Sequence, residues 1–220
     1  SSAHAFANVY VTGTAYLPGS EQILYTENYI KDCAKQTRVQ YVSPEGKLLA
    51  EKQLDFSRDK HAPDVSSKDF RLDSTLAIST QNNKTKVQLQ RKGKRALAAA
   101  IDIEGKLVID AGFDPFVQDQ WEILLAQEEV KFRFLVPARK IAVKLKLNKR
   151  SCSVAEDRVC FRIKAANWLI AAVMAPIDLE YEKISQRLMR FTGLGQLPND
   201  SGKGQRVDIH YRYPESDTAH

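Results

Sequence analysis

The residues that could do chemistry in this chain are scattered, and none falls at a spacing that catalysis uses. The four histidines, His4, His61, His210 and His220, lie far apart. Zinc needs ligands that converge at set intervals, and no HExxH, GxSxG or Cys/His run of that kind occurs. The nearest approach to a phosphate-binding loop runs from Gly195 to Gly202 and Lys203. It is two residues too long and has Gly204 where Ser or Thr would hold magnesium, so it reads as a hairpin loop. The expectation is a protein that is not an enzyme and that uses no cofactor and no metal.

The three cysteines carry the remaining covalent chemistry. Cys152 and Cys160 flank a polar loop between two alternating segments. In an oxidising compartment they can close a disulfide across a long hairpin, and in a reducing one they are two unrelated thiols. Cys33 is then the odd cysteine, either buried and inert or open to a partner.

Compartment is read from the N-terminus and the hydropathy. Residues 1–7 offer Ala3-His4-Ala5 and Ala5-Phe6-Ala7, small-x-small sites like the end of a secretory signal, although an ordinary N-terminal arm has the same composition. The longest apolar run, residues 168–177, is ten long where a membrane-spanning helix needs about 20. The expected location is therefore periplasmic, exported and not membrane-spanning. A net charge of +6 would suit nucleic acid, but export makes anionic lipid head groups or acidic envelope polymers the better partners.

Two sets of side chains could form binding surfaces. The aromatic set is Phe113, Phe116, Trp121, Phe132, Phe134, Phe161 and Trp168. It serves either as a filled core or as the wall of a cavity for a lipid or other apolar ligand, because both use the same residue types. The basic set is Lys140, Lys144 and Lys146, alternating with Ile141, Val143, Leu145 and Leu147, and a second strand repeats the pattern with Lys84, Lys86 and Lys92. Such faces either keep strand edges solvated or draw the protein to an anionic membrane.

The elements that must position these residues are mostly strands. Period-two alternation begins with Val9, Val11, Gly13, Ala15 and Leu17, with Tyr10, Thr12, Thr14 and Tyr16 on the other face. It returns at Val39 and Tyr41, then at Leu48, Ala50, Leu54 and Phe56 after the turn Pro44-Glu45-Gly46. Further sets are Phe70, Leu72, Leu76 and Ile78; Val87 and Leu89; Leu97 to Ile103; and Leu107 and Ile109, separated by turn signals at Gln81-Asn82-Asn83, Gly93 and Glu104-Gly105. The pattern breaks at Asp114, a helix cap, followed by Pro115 and by Phe116, Val117, Trp121, Leu124 and Leu125 on one face. This predicts a helix over 115–127. Alternation then resumes at 130–136, 141–147, 159–163, 177–181, 188–191 and 207–213, while 165–175 fits a buried helix or a buried strand. The sum is a mainly β protein: a large, strongly curved antiparallel sheet, an incomplete barrel, packed around one main α-helix. One β-rich domain is expected over 8–214, preceded at 1–7 by a signal-peptide remnant or disordered arm and followed by a disordered tail at 215–220.

The blocks AGFDPFVQDQWEILLAQEEVKFRFLVPAR, from Ala111, and PIDLEYEKISQRLMRFTGLGQLPNDSGKGQRVDIHYRYP, from Pro176, together resemble uncharacterised exported proteins of Gram-negative bacteria. Their organisation is in turn similar to the half-barrel folds of the lipoprotein-localisation carriers. The resemblance implies a curved sheet with an apolar concave face wrapped around a helix. It implies a periplasmic binding or carrier protein for a lipid or other apolar ligand. The alternative is an envelope scaffold or protein-interaction module with a filled core.

Overall fold

The computed structural model describes residues 9–102, 105–153, 155–167 and 175–214. The expected signal remnant at 1–7, Ile103, Trp168 with the middle of the 165–175 stretch, and the tail at 215–220 lie outside the described residues.

The strands are β1 (Val9–Tyr16), β2 (Ile23–Cys33), β3 (Gln36–Val42), β4 (Leu48–Asp55), β5 (Asp64–Asp69), β6 (Ser74–Gln81), β7 (Lys84–Arg91), β8 (Leu97–Asp102) and β9 (Leu107–Val108). After the helical segment come β10 (Val130–Val136), β11 (Ile141–Arg150), β12 (Arg158–Ala165), β13 (Ile177–Glu182), β14 (Leu188–Leu194) and β15 (Arg206–Arg212). All 15 form one sheet in the order β8 through β1, then β15 back through β9. Every pairing is antiparallel except β9 with β10. The first and last strands therefore meet in the middle, and the two outer edges are consecutive in sequence, β8 ending at Asp102 and β9 beginning at Leu107.

So short a connection forces the edges together, since each residue spans at most ~3.6 Å. Leu107, Ile109 and Leu135 from the β9–β10 edge pack with Val39, Tyr41, Val65, Ile78 and Val87 of β3, β5, β6 and β7. Arg133 of β10 also donates to the Asp102 carbonyl at the end of β8. The sheet is an unclosed roll whose ends come together, the incomplete barrel expected from the alternation.

The helical segment departs from the predicted single helix. A 3-10 turn at Asp110–Gly112 leads into α1 (Phe113–Asp119), and α2 (Trp121–Leu125) follows after a break at Gln120. Gln120 is buried and accepts a hydrogen bond from Lys106, and its backbone leaves helical geometry. Asp114 is not the cap. It lies inside α1, the N-cap position belongs to Gly112, and no side chain caps the turn. A Cβ on Gly112 would stand 2.0 Å from the His61 carbonyl oxygen, which also accepts from the Ile109 amide, so glycine alone allows this approach.

Two strands were not foreseen, β2 and β5, and Phe70 and Leu72 lie in the β5–β6 connection rather than on a strand. The disulfide is formed between Cys152 and Cys160, with Cα atoms 5.4 Å apart, and Cys33 is a free, exposed cysteine.

Candidate functional site: a two-chambered concavity

The concave face of the roll is not filled. It holds two cavities of about 750 and 520 Å³. Six residues line both, Asp110, Phe134, Leu145, Ile177, Leu194 and Gln196, so they are adjoining chambers of one space. Together they exceed the ~300–1,000 Å³ of most small-molecule pockets.

Of the aromatic set, Phe113, Phe132 and Phe134 line the larger chamber, and Phe134 also lines the smaller. Phe116, Trp121 and Phe161 belong instead to a packed core between α1, α2 and the β10–β13 region. Trp121 stacks edge-on against Phe161 and Tyr181 at 5.4 and 5.7 Å. Those three are core and not cavity wall, because α1 and α2 turn their aromatic face onto the sheet and away from the opening. The described members of the aromatic set are thus divided between cavity wall and packed core.

The floor of the larger chamber carries charge that sequence reasoning missed. Glu27 faces inward on β2 and is almost wholly buried. Tyr29 and Tyr211 donate to its two oxygens at 3.0 and 3.2 Å. Register explains the grouping, since Tyr41, Glu27, Gly13 and Tyr211 form one row across β3, β2, β1 and β15. Gly13 is required there: a Cβ would meet Tyr211 at 2.8 Å and Glu27 at 2.9 Å. In the next row stand Lys52, Val39 and Tyr29. The Lys52 ammonium is buried, bonded to both Asp110 oxygens at 2.8 Å and placed 5.5 Å over the Tyr41 ring.

Burial pushes the Glu27 carboxyl up to about 6, against the opposing pull of Lys52 and the two tyrosine hydroxyls. Asp114, on the wall of the same chamber, is also pushed up to about 6 by burial. Its Oδ1 is shielded from solvent, with the Tyr181 hydroxyl as hydrogen-bonding neighbour, a contact that opposes the upward shift. At the opening stand Tyr10, Lys31, Lys35, Arg58 and Lys60. Tyr10 was placed on the outer face by alternation, but a β-bulge between Val9 and Val11 re-aims it.

The basic set lies on the convex face. Lys144 is exposed on β11, and Lys146 pairs with Glu129 at 3.2 Å. Lys140 is not on the strand; it ends the 3-10 turn Pro137–Arg139 in the left-handed region. Register adds residues the sequence did not connect. Lys131, Lys146 and Lys164 face one another across β10, β11 and β12, and Arg133 faces Lys144. Like charges directly opposite on neighbouring strands are unfavourable, a cost relieved in part by Glu129 at Lys146 and by the Asp102 carbonyl at Arg133.

Among the described residues no cluster of His, Cys, Asp and Glu is suited to a metal ion, and no helix is long and apolar enough to cross a membrane.

No family model matches the chain, and no curated protein matches it. Among solved structures it is similar to a beta-barrel-like protein of domain of unknown function DUF1849 from Brucella abortus. That likeness has 11% sequence identity and a TM-score of 0.52, over 93% of this chain and 95% of the other. At that identity it shows a shared β-barrel-like fold and nothing of activity.

Proposed function

We propose that this chain is a non-enzymatic periplasmic binding or carrier protein for a lipid or another elongated apolar ligand. The observation that carries the reading is the two-chambered concavity, walled by Phe113, Phe132, Phe134, Leu145, Ile177 and Phe191. Side chains fill the interior of small barrels of about eight strands, and a roll of 15 strands is wide enough to leave room for a ligand. The sequence resemblance to proteins with carrier-like half-barrels points the same way, and the Cys152–Cys160 bond suits an oxidising compartment. The rows of like charge on β10, β11 and β12 fit docking to an anionic envelope surface, where a ligand would be collected or delivered.

A second reading, a scaffold that binds another protein, is favoured by one feature. Strand β8 has a partner on one side only and exposes Leu97, Ala98 and Ala100. That edge suits addition of a strand from another chain. Native mass spectrometry of protein extracted from its own envelope separates the two. A co-purifying lipid is expected; a stoichiometric protein partner without lipid would favour the scaffold.

A further inference from the structure

We propose that the larger chamber selects an amphiphile with an ammonium head, held by the Asp114 carboxylate between Tyr10 and Tyr213. This rests on the chamber being a ligand site and adds the chemistry of the ligand's polar end.

Three carboxylates line the chamber: Glu27, Asp110 and Asp114. Asp110 is neutralised by Lys52. Glu27 has two tyrosine hydroxyls but no ion pair. Asp114 has no ion pair, and the one donor at hand is the neutral Tyr181 hydroxyl beside its buried Oδ1. Of the tyrosines around it only Tyr181 reaches the carboxylate, and a neutral hydroxyl supplies no counter-charge. Tyr213 donates to the Leu188 carbonyl at 2.9 Å, and Tyr10 bonds Thr37 at 3.3 Å. Nearby cations are held elsewhere too: Lys31 lies 5.8 Å over the Tyr10 ring and Arg187 lies 4.9 Å over the Tyr213 ring. A largely desolvated carboxylate with no counter-charge is unfavourable, and a cation arriving with the ligand on the chamber side of Asp114 would offset that cost.

Lys31, Lys35, Arg58 and Lys60 at the opening could attract an anionic head instead, so the two effects must be weighed. Arg58 and Lys60 face Asp64 and Asp119 at 3.8 and 2.6 Å. Lys31 and Lys35 are exposed, and exposed charges are screened by water. Asp114 is desolvated, where the same charge acts several times more strongly. The buried carboxylate therefore outweighs the solvated lysines in choosing the head.

The test uses the full chain and the fluorescent apolar probe N-phenyl-1-naphthylamine, displaced at pH 7.5 by decylamine, decanoate or decanol. Decylamine should displace the probe at roughly tenfold lower concentration than decanoate, the scale of one charge-assisted hydrogen bond. Asp114→Asn, nearly the same shape, should remove that preference and leave decanol unchanged. Probe uptake with decanoate equal to or better than decylamine overturns this proposal and leaves the carrier reading standing. No uptake of the probe overturns both. The wild-type comparison decides even where Asp114→Asn fails to fold, and a preference that persists in a folded Asp114→Asn also overturns the assignment.

Discussion

Lys52 Nζ lies 2.8 Å from both carboxylate oxygens of Asp110, a contact that joins β4 to the turn before α1 across 58 residues of chain. Both side chains are nearly buried, at 7% and 12% exposure. Removing one member of such a pair leaves a largely desolvated charge without its partner. Lys52→Met should therefore lower the unfolding free energy by about 3–5 kcal/mol, as read from urea unfolding. Adding Asp110→Asn, which tolerates the positive φ of 49° at that position, should recover most of the loss. Losses that simply add would show that the two residues act independently.

The same buried charges explain which parts of the fold were legible in the sequence. Strands such as β1, β10, β12 and β15 announce themselves by apolar alternation, and the structure places them where the pattern does. Strand β2 was missed because its inward face reads Tyr25, Glu27, Tyr29, with a carboxylate at a core position. Strand β4 was found, but its inward Lys52 was passed over for the same reason. Strand β5, DVSSKD, offers a single aliphatic residue, Val65, and only its neighbours make it a strand. The signal that could have found the site was a charged residue in phase with an apolar face. The pairing of rows across strands was beyond reach, since register depends on bulges and turn geometry that alternation does not encode.

Stability should depend on pH through Glu27 and Asp114. Both carboxyls are raised to about 6 in the folded chain, from ordinary values of 4.5 and 3.8. The native state therefore holds protons that the unfolded chain has released. This contribution is fully present below about pH 4 and is lost as pH rises through about 6, at roughly 2–3 kcal/mol for each group. Asp178 and Asp208 act in the opposite sense. Their carboxyls, though partly desolvated, are held below the usual range by Arg162 and Arg190, so their contribution disappears as pH falls below about 4. Urea midpoints should be highest near pH 5 and lower at pH 7.5. Glu27→Gln should flatten the fall between those values; an unchanged slope in that variant would remove Glu27 from the explanation.

Thiol counting checks the disulfide and its effect. The unfolded, unreduced chain should show one reactive thiol, Cys33, and three after reduction. The bond closes a short loop, with a sequence separation of 8, so reduction should cost roughly 2–3 kcal/mol by loop entropy. Two or three thiols before reduction would refute the bond.

Docking to membranes should follow the convex rows of Lys131, Lys146 and Lys164 and of Arg133 and Lys144. Each basic residue near an anionic surface contributes ~1 kcal/mol, so Lys144→Glu should weaken sedimentation with phosphatidylglycerol vesicles by at least about fivefold. Neutral phosphatidylcholine vesicles should show little binding to either protein. Probe uptake by the concavity should be unchanged, because Lys144 points away from it. Equal sedimentation of wild type and variant would leave the rows as ordinary solvated surface.

Phe134 and Trp121 should separate cavity from core. Trp121 is 4% exposed and stacked on Phe161 and Tyr181, so Trp121→Ala should cost about 3–5 kcal/mol of stability. It contacts neither chamber, and the folded fraction of that variant should take up N-phenyl-1-naphthylamine as the wild type does. Phe134 is only partly buried and stands on the wall common to both chambers. Phe134→Glu would put a carboxylate where an apolar chain must pass, and its charge can reach the water of the open chamber, so folding should suffer less than binding. The expected result is a folded variant, by near-UV circular dichroism, with uptake reduced at least tenfold, on the scale of burying one unpaired polar group. Uptake at the wild-type level in folded Phe134→Glu would move the ligand out of the concavity. Loss of folding in Phe134→Glu, together with full uptake in folded Phe113→Glu and Phe132→Glu, would make these phenylalanines core and take away the wall on which the carrier reading depends.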